Sequence, residues 1–183
     1  MRGVVVGLGL GLAAALGGCA TTPSEPKVAT AAEVPIRFAY GGLGTSDASY
    51  QRLTESRSGS SVRRAAYRGG AEYAVFDLLE TLGDSYFTPQ APGAFIERFF
   101  KPDATGERGA SGTVGGSRQT SWRAFRLKEP GAACVELQRS LREHVEGGIN
   151  QYSQALVVGV YCRAGDGQIG ADEANRIARG LSA

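Results

Sequence analysis

CVELQRSL, residues 134–141, and ALVVGVYC, residues 155–162, are the two stretches on which the fold turns. They are equal in length. One begins with a cysteine and the other ends with one. If they pair as antiparallel strands through a loop at 142–154, Cys134 stands directly opposite Cys162. Opposed Cβ atoms in such a pair lie about 4.5–5.5 Å apart. A disulfide needs about 3.5–4.5 Å, so a small local adjustment closes it. The alternative reading makes 131–146 a helix, because Leu137, Leu141 and Val145 recur every fourth residue and Gly147 would stop it. The strand is preferred, since the disulfide then follows from the pairing.

Working outward, residues 121–128, SWRAFRLK, place Phe125 and Leu127 two apart and read as a strand that turns at Glu129-Pro130-Gly131. Residues 171–181, ADEANRIARGL, read as a short helix, with Asp172 and Glu173 at its start and Arg176 and Arg179 toward its end. Ala174, Ile177, Ala178 and Leu181 form the face that docks on the sheet. Residues 34–40, VPIRFAY, alternate around Ile36, Phe38 and Tyr40 and give a short strand with Pro35 at its start.

Two further segments carry helical spacing. In 72–82, EYAVFDLLETL, Val75, Leu78, Leu79 and Leu82 fall at i, i+3, i+4 and i+7, although Tyr73, Val75 and Phe76 suit a strand as well. In TPQAPGAFIERFFK, Phe95, Ile96, Phe99 and Phe100 make one apolar face between Pro92 and Pro102. Residues 103–121 repeat glycine at 106, 109, 112 and 115 and read as a mobile Gly-rich loop. They lack the Gly-Lys-Ser/Thr of a phosphate loop. Together these readings predict an α+β domain over 34–183: a small antiparallel sheet, two or three packed helices, and a C-terminal β-hairpin stapled by a Cys134–Cys162 disulfide.

The N-terminus is of another kind. Met1-Arg2 is followed by GVVVGLGLGLAAAL, residues 3–16, without a charge. A bilayer-spanning helix needs about 20 residues, so this run has the length of a secretory apolar region instead. Leu16-Gly17-Gly18-Cys19 resembles the lipobox of bacterial lipoproteins, Leu-small-small-Cys. The resemblance covers residues 1–19 alone. It implies a signal peptide over 1–18, cleavage after Gly18, and diacylglyceryl modification of the Cys19 thiol with acylation (palmitate-type chains) of the new amine. It also implies a membrane anchor. Two or three chains hold where one holds only marginally. Ala20, in place of aspartate, favours the outer membrane facing the periplasm. Residues 19–33 then form the lipidated cysteine and a flexible tether, rich in Pro, Ser, Thr and Ala.

After such cleavage the chain carries 19 Lys+Arg against 18 Asp+Glu, a balance that gives no reason to expect a nucleic-acid partner. Cys134 and Cys162 would both face an oxidising compartment, where a disulfide is the expected pairing. There is no Cys-x-x-Cys, and His144 is the one histidine, in the charged segment LREHVEGG. No metal, haem or other cofactor is expected. No Gly-x-Ser-x-Gly elbow or other catalytic constellation is present.

Arg57, Arg63, Arg64 and Arg68 fall in a stretch with no acid between Glu55 and Glu72. The plain reading is a solvated loop and exposed strand. The sharper one is a patch for anionic lipid heads, lipopolysaccharide or wall polymer. The function expected from the sequence is that of a membrane-anchored, non-enzymatic envelope lipoprotein with a structural or interaction role. The alternative is a periplasmic lipoprotein that binds a small ligand or glycan through the Phe95–Phe100 face and the Gly-rich segment.

Overall fold

The computed structural model describes residues 26–44, 46, 48–55, 61–81, 87, 90–115, 119–129, 131–146, 150–165 and 167–183. Cys19 and Arg57 lie outside them.

The C-terminal pair organises the molecule. β8 (Ala132–Glu146) and β9 (Asn150–Ala164) are antiparallel, Cys134 pairs with Cys162 in register, and the two cysteines form a disulfide with Cα atoms 4.1 Å apart. The helical alternative for 131–146 is thereby excluded. Pairing also runs farther than the expected loop at 142–154 allowed. After an irregularity around Arg142 it continues to Glu146 opposite Asn150.

Around this pair the strands add in two meanders. β1 (Lys27–Val28), β3 (Ala48–Glu55), β4 (Ser61–Gly69) and β5 (Glu72–Glu80) lie on one side, and β7 (Thr120–Leu127) and β6 (Thr105–Val114) on the other. The resulting eight-stranded sheet has the order β1-β3-β4-β5-β9-β8-β7-β6, and every neighbouring pair is antiparallel. A separate two-stranded ribbon joins β2 (Arg37–Phe38) to β10 (Leu181–Ser182). The helices among the described residues are α1 (Ile96–Phe99), a single turn, and α2 (Ala171–Arg179).

The expected α+β class, a small sheet with two or three packed helices, is therefore corrected to a mostly β architecture. The error has a physical source at three places. Residues 72–80 are strand β5, buried on both faces: Ala74, Phe76 and Leu78 point to one side, Asp77 and Leu79 to the other. A strand covered on both sides reads as a nearly continuous apolar run, which contains helical spacings by default. The aromatic segment around Phe95–Phe100 keeps only one helical turn: the backbone is extended again at Phe100, and Pro102 follows.

Residues 105–114 form an edge strand where a loop was expected. The register of β6 against β7 slips between Thr105 and Arg108 and again between Arg108 and Ser111. Such bulges are common on edges. A Cβ on Gly112 would lie 2.8 Å from Cζ2 of Trp122, so the glycine makes room for the indole.

Each face of the sheet has its own cover. One is packed by α2, the β2–β10 ribbon and residues 29–43, with Ile36, Phe38, Tyr67, Phe76, Tyr161 and Ile177 at its centre. Residues 27–33, expected within the tether, are part of this arrangement through β1 and the turn that follows it. As expected, Ala174, Ile177, Ala178 and Leu181 are all buried. The second face is covered by the α1 segment. There Ile96, Phe99 and Phe100 meet Phe125, Val160 and the disulfide, and Phe95 and Phe99 meet Leu156 and Val158.

Candidate functional site

Side chains alternate across a strand. β4 therefore cannot present its arginines as one patch. Arg63 faces the cover formed by residues 29–43, where it donates to the carbonyl of Glu33 and pairs with the Glu80 carboxylate. Arg64 faces the α1 side. Arg68 shares the side of Arg64 and is exposed. Of the four arginines expected as a patch, the three described ones are divided: Arg63 is engaged on one face, and Arg64 and Arg68 stand on the other, while Arg57 lies outside the described residues.

Arg64 meets an acid that the sequence reading did not single out. Asp77 of β5 is fully buried. Its Oδ1 accepts from Arg64 Nε at 2.7 Å, and its Oδ2 accepts from Arg64 Nη2 at 3.1 Å and from Arg98 Nε at 2.7 Å. Arg64 is on the sheet and Arg98 on α1, so one carboxylate ties the cover to the strands. The Arg64 guanidinium also lies 5.9 Å from the centroid of the Phe99 ring. A charged residue is almost never fully buried without partners, so an aspartate inside EYAVFDLLE was the available signal.

A second buried acid holds the other end of the cover. Glu136 of β8 accepts from the backbone N–H of Gly93 at 2.9 Å and from Gln138 Nε2 at 2.8 Å. Gln138 also donates to the carbonyl of Ala91, and Arg123 Nε to that of Pro92. Burial pushes the Glu136 carboxyl up to about 7, against the opposing pull of these hydrogen bonds and of Arg123. Glu136 stands in CVELQ as Asp77 stands in its own strand, a lone acid among apolar neighbours.

The opposite face carries a tyrosine–acid cluster. Tyr161 donates to Glu72 at 2.8 Å, and the Gly42 N–H donates to the same carboxylate at 3.0 Å. Arg163 and Tyr40 both donate to Glu173 of α2. Burial raises the Tyr161 hydroxyl above the ordinary phenol range, and the bond to Glu72 adds to this. These groups are partnered with one another.

A cleft of about 160 Å³ lies beside β6, lined by Glu107, Gly109, Arg126, Gln168 and Ile169 among others. Ligand pockets usually enclose about 300–1,000 Å³. The Phe95–Phe100 face, expected as the wall of a ligand groove, packs against the sheet instead. His144 sits in β8 with its backbone opposite Tyr152. Among the described residues no group of three His, Cys, Asp or Glu side chains is placed to hold a metal ion, and no helix is long and apolar enough to cross a membrane. Compared with models of protein families, with curated proteins and with solved structures, the chain matches none.

Proposed function

We propose that this protein is a lipid-anchored component of a bacterial envelope, without enzymatic activity, that holds or contacts another envelope component from the periplasmic side of the outer membrane. The observation that carries the reading is the order of features at the N-terminus: a basic start, a short apolar run, and Leu16-Gly17-Gly18-Cys19. The Cys134–Cys162 disulfide supports it, because such bonds persist in oxidising compartments and are rare in the cytosol. An interaction role is favoured over small-ligand binding, since the cleft beside β6 is small and the aromatic segment is committed to the core.

The test is metabolic labelling with a palmitate analogue in a bacterial host, followed by membrane fractionation. The wild type should incorporate label, lose residues 1–18 and sediment with outer membranes. Cys19→Ser should abolish labelling and cleavage together. Labelling that survives the substitution would overturn the proposal.

A further inference from the structure

Asp77 holds more positive charge than it neutralises. One buried carboxylate serves the guanidiniums of both Arg64 and Arg98, and among the described residues neither arginine has another acid in ion-pair contact. Both donate to the same atom, Oδ2, so the two donors can be no farther apart than their two hydrogen bonds laid end to end. The neighbouring acid on α1, Glu97, is exposed and lies 3.9 Å from Arg108 instead. Two guanidiniums so close thus share, among the described residues, a single negative charge beneath them.

The geometry also leaves donors for a second anion. An arginine has five N–H groups. Arg64 spends Nε and one N–H of Nη2 on Asp77, and Arg98 spends Nε. The rest have no acceptor among the described residues. The side chains are 31 % and 34 % exposed while Asp77 is 0 % exposed, so the acid lies beneath and the guanidiniums reach solvent. The Arg64 guanidinium carbon lies over the Phe99 ring. Arginine forks held in place in this way match the oxygens of phosphate and spend little entropy in binding it.

We propose that Arg64 and Arg98, oriented by Asp77, form a binding site for a phosphate group. A phospholipid headgroup and free inorganic phosphate offer the same chemistry. The membrane to which the proposed anchor ties the chain would supply the first, and only that choice of source rests on it. Asp77 is a positioning residue, and Arg63, on the far face, takes no part.

The test uses the full chain carrying Cys19→Ser in non-ionic detergent, with the arginine Nε–H signals followed by NMR. Inorganic phosphate is titrated in one arm, and micelles doped with phosphatidylglycerol in the other. Saturable shifts at Arg64 and Arg98 are expected in at least one arm, and the arm that responds identifies the source. Arg98→Gln leaves Asp77 both bonds from Arg64 and should weaken binding about tenfold, the loss of one charge-assisted hydrogen bond. Arg98→Lys keeps the charge without the fork and should weaken it less. Arg179→Gln, on α2 across the sheet, should leave it unchanged. Absence of saturable shifts in both arms, or equal binding by wild type and both Arg98 variants, overturns the proposal. Acyl labelling of the wild type is unaffected by either result, so the two readings fail separately.

Discussion

The ring of Phe76 lies across Gly159. They face each other on β5 and β9, in the middle of the sheet, and a Cβ on Gly159 would overlap Cδ1 of that ring and come within 2.5 Å of the Val75 carbonyl oxygen. Phe76 is itself fully buried against Phe38, with ring centroids 4.9 Å apart, so it has nowhere to retreat. Gly159→Ala is therefore expected to destabilise the protein by about 1–3 kcal/mol, the range for overpacking a closed core. A urea melt checks this: the midpoint should fall with the slope unchanged.

Loss of the disulfide should be felt mainly in the unfolded chain. Cys134 and Cys162 are 28 residues apart in sequence. Closing a loop of that size is worth about 3–4 kcal/mol in the chain-entropy account. The Cys134→Ala, Cys162→Ala double variant should lose stability of that order while keeping the β8–β9 register, because seven further pairs, from Val135–Tyr161 to Arg142–Ala155, flank the cysteines on that side. A reductant should lower the melting temperature of the wild type and leave that of the double variant unchanged.

Stability should decline as pH rises through the range that Glu136 controls. Its ordinary value is near 4.5, and in the folded protein it is pushed up to about 7. Between those values the folded chain binds more protons than the unfolded one, so unfolding becomes easier with increasing pH. The stabilising effect of the neutral form is complete below about 4.5 and lost above about 7, with a total of at most about 3 kcal/mol. Glu136→Gln keeps an acceptor for the Gly93 N–H, loses the one for Gln138, and should flatten this part of the pH–stability curve. Equal slopes between pH 5 and pH 7 would contradict the assignment.

The single tryptophan reports on α2. Trp122 is buried, and its Nε1–H donates to Asn175 Oδ1 at 2.9 Å. Asn175→Ala leaves that indole N–H without its partner, at a cost of about 1–3 kcal/mol. Emission should stay blue-shifted in the folded variant, with the unfolding transition moved to lower denaturant. A red-shifted native spectrum would mean instead that α2 has left the sheet.

The local signals in the sequence determined strand β7 and helix α2, and two cysteines at matched positions favoured the β8–β9 pairing over a helix at 131–146. The choice between strand and helix there was made by the structure. Tertiary structure decided the remainder. A β5 buried on both faces carries spacings that serve helix and strand alike, and only its neighbours β4 and β9 select the strand. The glycines of 105–114 look like a loop until Trp122 needs the space at Gly112. Arg63 and Arg64 are adjacent in the chain, yet the pleat sends them to opposite faces. Asp77 and Arg98 meet only because the cover segment folds back over the sheet. Period-two alternation is written in the sequence, but which side will be covered, and by what, is set by chain segments far away.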